Sequence, residues 1–373
     1  MGLSPGALPD FPWDLIEPHR ALASRHPDGI VDLSVGTPVD PTPEVIQEAL
    51  AAAANAPGYP TTQGRPDLRE AIAAWFASRR GVPGLDPGAA FPTIGSKELV
   101  ALLPALLGLG AGDTIVIPEV AYPTYDVGAR LVGATVLPAD DVAAWAGDGT
   151  VALVWVNSPS NPTGAVRSRE ELAAVVAQAR RIGAIVASDE CYAELAWAEP
   201  YASGGVPSIL DPEVCGGSHE GVLAAYSLSK RSNLAGYRAA FVAGDPALIA
   251  RLIEIRKHLG MMVPAPVQAA MAIALGDDAH VAAQRATYGR RRDALLPALV
   301  GAGFAVDGSD AGLYLWATRG EDCWATLEWL AERGILAAPG VFYGAAGSLH
   351  VRVALTATDE RINTAVRRLA PSR

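Results

Sequence analysis

The stretch VLAAYSLSKRSNLAGYR, Val222 to Arg238, carries the reading of the fold. An unbroken apolar run, VLAAY, exits through Ser227, Ser229 and Lys230, and Arg238 follows. A run so short and so apolar predicts a strand covered on both faces. A lysine at the mouth of such a strand is costly unless something is bound there. The rest of the chain has to supply that partner's chemistry.

The same pattern recurs upstream and downstream. TIVIP (114–118), ATVLPA (134–139), VALVWVN (151–157), AIVASDE (184–190), VLAAYSLS (222–229) and RAAFVAGD (238–245) read as strands. PTYDVGARLVG and SREELAAVVAQARRIG (168–183) read as helices between them, the second with Ser168 and Glu171 placed to cap it. Apolar strands alternating with helices predict an α/β fold with a mostly parallel sheet covered by helices. The tail differs. A helical segment near 279–302 leads into GFAVDGSDAGLYLWAT, then a helix near 322–333, GILAAPG, a strand LHVRVAL (349–355) and a closing helix from Thr358. This predicts a smaller α+β domain. The expected organisation is an N-terminal arm and part of the small domain over 1–40, a large domain over 41–275 and a small C-terminal domain over 276–373.

Bulk properties narrow the function. The chain has 373 residues, enough for a large core. Half of it is apolar and 18% is charged, which is globular rather than disordered composition. The net charge of −11 argues against nucleic acid or an anionic membrane as the main partner. Any anionic ligand must therefore be held by a few local cations. Three cysteines without ligand spacing suggest reduced thiols, and six histidines without an HxH or HExxH pattern give no metal site. The first residues lack a basic, apolar leader pattern, and LVALLPALLGLG (99–110) is too short to span a bilayer. A soluble, cytoplasmic protein is expected. GLGAGD (108–113) has Asp113 where a dinucleotide fingerprint needs its third glycine, and it follows a helix instead of a strand.

In an open parallel sheet, ligands bind beyond the carboxyl ends of the strands. VALVWVN runs into NSPSNPTG, with Asn157 and Asn161; AIVASDE ends at Asp189, with Tyr192 just after; VLAAYSLS ends at Lys230. Singly, each has a plainer explanation: a helix cap for Asp189, a solvated loop for Lys230, a turn for NPTG, packing for Tyr192. Their succession at neighbouring strand ends does not. An amine, a carboxylate and neutral donors suit an aldehyde cofactor with a pyridine ring and a phosphate. Lysine links to the aldehyde, and a carboxylate keeps the ring nitrogen protonated. The phosphate wants helix N-terminal amides, hydroxyls and an arginine. TIGSKELVALL (93–103) places Gly95, Ser96 and Lys97 at the start of a helix, and Ser227, Ser229 and Arg238 supply the remainder.

SVGTP (34–38), GYPTTQG (58–64), GSKE (95–98), YPTY (122–125), NSPSNPTG (157–164), SDECYAE (188–194), SLSKRSNLAGYR (227–238) and HVRVAL (350–355) extend this pattern along essentially the whole chain. With them the sequence resembles the fold-type I, class I/II aminotransferases that depend on pyridoxal 5′-phosphate. The resemblance implies that Lys230 links to the cofactor and shuttles the proton between substrate and cofactor. It implies that Asp189 pairs with the ring nitrogen, that Asn161 and Tyr192 bind the ring oxygen, and that Tyr122 stacks on the ring. Ser96, the Lys97 backbone, Ser227, Arg238 and Ser229 match phosphate contacts. Tyr59 resembles a residue that reaches the phosphate of a neighbouring subunit, which implies a homodimer with shared sites. Arg352 matches the arginine that grips the substrate α-carboxylate, with Gly36 approaching it by its backbone. For Asn157, a loop-stabilising amide is an equal alternative.

SLSKRSNLAGYRAAFVAGD and GILAAPGVFYG…LHVRVALTATDERI look closest to N-succinyldiaminopimelate aminotransferases. That implies amino exchange between N-succinyl-LL-2,6-diaminopimelate and 2-oxoglutarate in lysine biosynthesis, with glutamate as the amino-acid donor of the reverse direction. Lys97, Arg25 and Lys257 are the conceivable cations for the succinyl end. A general aspartate/aromatic/alanine-type aminotransferase, or a cystathionine β-lyase-like enzyme, is the alternative on the same fold. A cofactor-sensing regulator with a DNA-binding domain is disfavoured by the charge and by a first strand motif near residue 30.

Overall fold

The computed structural model describes residues 8–9 and 12–370. Its strands are β1 (Val31–Asp32), β2 (Ala90–Ile94), β3 (Thr114–Ile117), β4 (Thr135–Pro138), β5 (Val151–Asn157), β6 (Ile185–Asp189), β7 (Val222–Ser227), β8 (Ala239–Gly244), β9 (Ala305–Asp307), β10 (Tyr314–Thr318), β11 (Ile335–Leu336), β12 (Ala338–Pro339) and β13 (Val351–Ala354). Seven form the main sheet, in the order β2-β8-β7-β6-β5-β3-β4.

All pairs from β7 to β4 are parallel, whereas β8 is antiparallel to both of its neighbours. RAAFVAGD thus runs against the strands it follows. Only one helical turn, Leu228–Arg231, and a short loop separate β7 from β8. That is too little chain for the helical crossover a parallel neighbour requires. β2 is a strand the sequence pattern did not announce. Pro92 sits inside it, and β2 lies at the sheet edge, where a missing N–H is tolerated.

Alternation along the strands divides the core into two layers. Val154, Val156, Val186, Tyr226 and Phe241 face one cluster with Trp75, Phe76 and Met271. Leu153, Trp155, Ala187, Leu223 and Val242 face the other with Leu99, Leu103, Tyr125 and Leu252. The period of two with both faces apolar is what a sheet buried between helical layers demands. The helix Arg169–Ile182 begins with the expected capping box: Ser168 Oγ accepts from Glu171 N at 3.2 Å, and Glu171 Oε2 accepts from Ser168 N at 2.7 Å.

A second, four-stranded sheet has the order β12-β13-β10-β9 and is antiparallel. β1 pairs in parallel with β11, so residues near the N-terminus pack with the C-terminal part of the chain. Leu295, Leu315, Leu327, Ile335, Val353 and Ile362 form the core there. Arg291 of the helix Asp278–Gly301 donates to Asp40 at 2.8 Å and to Asp359 at 2.6 Å. It ties the segment after β1 to the helices Asp278–Gly301 and Asp359–Leu369. No described helix is long and apolar enough to cross a membrane.

Candidate active site

β5, β6 and β7 lie side by side, with Asn157 opposite Asp189 and Asp189 opposite Ala225. A cavity of about 520 Å³ opens beyond their carboxyl ends. Gly36, Ser96, Lys97, Tyr122, Asn161, Asp189, Tyr192, Ser227, Ser229, Lys230, Arg238 and Arg352 all line it. Tyr59 does not; its ring is 95% exposed, and its expected role lies on a second copy of the chain. Asn157 stays outside the cavity. Its amide donates to the carbonyls of Asp189 (2.9 Å) and Pro159 (3.2 Å), and its Oδ1 accepts from Asn161 N (2.7 Å). It is the loop-stabilising amide.

Lys230 sits on a helical turn past the strand, not on the strand itself. Ser227 ends β7 and caps the turn, its Oγ accepting from Ser229 N at 3.1 Å. The turn aims the lysine across the sheet edge, where Nζ donates to the carbonyl of Gly36.

Asp189 is buried. It accepts from the Tyr125 hydroxyl at 3.0 Å and from Cys191 N at 3.2 Å. Burial pushes its carboxyl above the usual range, and these bonds only partly oppose that. Among the described residues no cation pairs with it. A protonated ring nitrogen would meet that demand. In the window between the ordinary aspartate range and the raised folded value, the folded chain holds more protons than the unfolded one. Stability of the cofactor-free protein is therefore expected to fall as pH rises through that window. Pyridoxal phosphate should reduce the fall. Melting temperatures measured against pH with and without it would run parallel if Asp189 did not meet the cofactor.

At the phosphate end, Gly95 precedes the helix Ser96–Leu107 with φ +74°, leaving the first-turn amides open. The hydroxyls of Ser227 and Ser229 lie 2.8 Å apart. Arg238 takes a left-handed φ of +56° and donates to Ala235 O at 2.9 Å. Its guanidinium lies so close to Gly95 that a Cβ there would fall 2.0 Å from Nη2. Amides, hydroxyls and a guanidinium make a cradle that fits a phosphate. Gly95→Ala should displace Arg238 and weaken pyridoxal phosphate binding roughly 10- to 100-fold, the worth of one charge-assisted bond. Equilibrium dialysis of the cofactor would check this.

Arg352 stands on β13 between apolar Val351 and Val353 and is 3% exposed. Nη1 donates to Asn161 Oδ1 at 2.8 Å and Nη2 to Ser34 O at 2.7 Å. Nε has no partner, and among the described residues no carboxylate pairs with the charge. A guanidinium with N–H groups to spare fits a carboxylate. Among the described residues there is no cluster of His, Cys, Asp and Glu able to hold a metal.

Trp13, Cys191 and Tyr314 are among the lining residues to which the sequence motifs assign no role. Tyr125, the second tyrosine of YPTY, has no role in the sequence pattern, yet its hydroxyl donates to Asp189. A larger cavity of about 880 Å³ shares Tyr122 with the site and is mostly apolar, with Leu15, Ile117, Val136, Val341 and Phe342 in its wall. It holds none of the strand-end polar groups, so the chemistry belongs to the smaller one.

The family model for aminotransferase class I and II matches residues 28–369. The chain belongs to this family. Its members depend on pyridoxal phosphate, whose parts the cavity fits. The chain is 61% identical over 364 residues to a probable aminotransferase of Mycobacterium tuberculosis, covering 97% of this chain and 85% of that one. It is 57% identical over 362 residues to the 4-dedimethylamino-4-oxo-anhydrotetracycline transaminase OxyQ of Streptomyces rimosus, covering 97% and 99%. Among solved structures, a probable N-succinyldiaminopimelate aminotransferase from Thermus thermophilus superposes with a TM-score of 0.84 at 30% identity, covering 96% and 99%.

Proposed function

We propose that this aminotransferase exchanges an amino group between N-succinyl-LL-2,6-diaminopimelate and 2-oxoglutarate. The observation that carries the reading is a buried guanidinium, Arg352, without a carboxylate partner in the same cavity as Lys230. It selects substrates with a carboxylate beside the reacting carbon. The succinyl end is a second anion. Of the three cations considered for it, Lys97 lines the cavity and has no ion pair among the described residues. Lys257 instead pairs with Glu254, and Arg25 lies outside the cavity. The likeness to the Thermus protein supports the same substrate.

Bound pyridoxal phosphate supplies the aldehyde for the amine and a ring that withdraws electrons from the α-carbon. In this reading Lys230 moves the proton at that carbon. Asp189 keeps the ring nitrogen protonated, Asn161 and Tyr192 donate to the ring oxygen, and Tyr122 covers the ring face. Ser96, Lys97 N, Ser227, Ser229 and Arg238 hold the phosphate, and Tyr59 reaches it from a second copy in a homodimer. Arg352 and the Gly36 segment fix the substrate.

A second reading, a bulky ketone acceptor, is favoured by OxyQ and by the apolar cavity next to Tyr122. One experiment separates them. Glutamate is added to the loaded enzyme and the cofactor absorbance is followed to its amino form; candidate acceptors are then added. Fast restoration by N-succinyl-2-amino-6-oxopimelate supports the first reading. Restoration by 2-oxoglutarate but not by the succinylated acid sinks it, and restoration by a polycyclic ketone establishes the second. Pyruvate released from cystathionine without any keto acid would point to the lyase.

A further inference from the structure

Tyr314 belongs to neither the motifs nor the roles above, yet it lies where they converge. It stands on β10 opposite Ala354 of β13, two residues from Arg352 on the adjacent strand. It is 4% exposed. Its hydroxyl lies 3.1 Å from that of Tyr192, and the two rings meet edge to face at 5.7 Å. The Arg352 guanidinium sits 4.0 Å from its ring centroid. A Cβ on residue 36 would fall 2.0 Å from the Tyr314 hydroxyl, so only glycine fits under it. That same glycine's carbonyl takes the Lys230 amine. One phenol therefore touches the segment holding the lysine, the tyrosine facing the cofactor and the arginine facing the substrate.

We propose that Tyr314 is a positioning residue: its hydroxyl donates to the Tyr192 oxygen, leaving the Tyr192 proton free to point into the cavity, while its ring seats Arg352. The inference rests on the reading of Tyr192 as a donor to the cofactor ring oxygen. Chemistry sets the direction of the bond. Burial raises both phenols, but the charges of Arg352 and Lys230 overcome it at Tyr314 and make that hydroxyl the more acidic. Tyr192 stays well above its ordinary value, through burial first and the neighbouring Tyr314 second. The more acidic phenol is the better donor. A phenol that accepts one hydrogen bond donates a stronger one. Asp189, Cys191 and Arg238 also face the cavity, and none bonds either phenol.

The test is a double-mutant cycle read by the cofactor's visible absorbance against pH, not by turnover. A donor to the ring oxygen weakens that oxygen's hold on the proton of the lysine–cofactor link. Tyr192→Phe is thus expected to raise the titration midpoint. Tyr314→Phe should raise it less, by about half a pH unit, the worth of a modest hydrogen bond. The double variant should match Tyr192→Phe alone. A wild-type midpoint in Tyr314→Phe, with Tyr192→Phe shifted, overturns the inference and leaves Tyr192's role standing. So does a Tyr314 shift that persists undiminished in the double variant. If Tyr192→Phe itself shifts nothing, the reading of Tyr192 falls and takes this one with it. The ring is tested apart. Glutarate, a dead-end dicarboxylate, should bind Tyr314→Phe as it binds wild type and Tyr314→Leu roughly tenfold more weakly. Equal affinity in both variants would remove the seat under Arg352.

Discussion

Lys230→Ala is expected to cut turnover by roughly 10⁴, the scale of a positioned proton-transfer group, and to abolish the absorbance of the lysine-linked cofactor. The two losses have one cause. In the proposed reading the amine both links the cofactor and, when displaced by substrate, moves the proton at the reacting carbon. Among the described residues the amine bonds only the Gly36 carbonyl, so little of the fold depends on it. A hydrogen bond of that kind is worth about 1 kcal/mol net, and the melting temperature should move by only a few degrees. Lys97→Ala is the control. That lysine also lines the cavity, but it opens a helix whose backbone, not its side chain, faces the phosphate cradle. Lys97→Ala should therefore keep the absorbance. Near wild-type transamination by Lys230→Ala would remove the lysine from the chemistry and leave Lys97 as the remaining amine.

The legible part of this site was what strand order alone could place. Asn161, Asp189 and Lys230 follow three apolar runs joined by helices, and parallel neighbours bring such ends together whatever the side chains do. The capping box at Ser168 is equally local. Contacts set by pairing across the chain were harder to read. Gly36 meets Lys230 from 194 residues away in sequence, and Tyr314 meets Tyr192 across 122. Nothing in LYLW says which face of its strand turns inward until β13 is laid beside it. The direction of β8 was hidden because its apolar run looks the same either way, and only the short link from β7 decides it. Tyr125 was masked by Tyr122, since one motif offers two aromatics: Tyr122 precedes the helix Thr124–Leu131 and lines the cavity, while Tyr125 in its first turn reaches Asp189. Tyr59 is exposed and does not line its own chain's cavity, so the role expected of it would need a second copy of the chain.

Arg352→Lys is the second large expectation, because it keeps the charge and changes only the shape. kcat/KM for glutamate should fall on the order of a hundredfold, with the cofactor's absorbance unchanged. The guanidinium now spans two acceptors, Asn161 Oδ1 and Ser34 O, which lie on different parts of the fold, and still has N–H groups free for a carboxylate. An ammonium is a point donor on a thinner stem and cannot hold two fixed acceptors and a planar carboxylate together. The loss should sit in binding, so glutarate should weaken by a similar factor while the proton transfer by Lys230 remains. A structural ion pair would behave differently: its disruption costs stability, about 3–5 kcal/mol when buried. Arg352 has no anionic partner among the described residues, and its charge is held by neutral oxygens and the face of Tyr314. Such a charge is a cost carried for the ligand, so the lysine variant should melt close to wild type. A variant that binds glutamate normally but unfolds several degrees early would make Arg352 a part of the scaffold instead of the hand that holds the substrate.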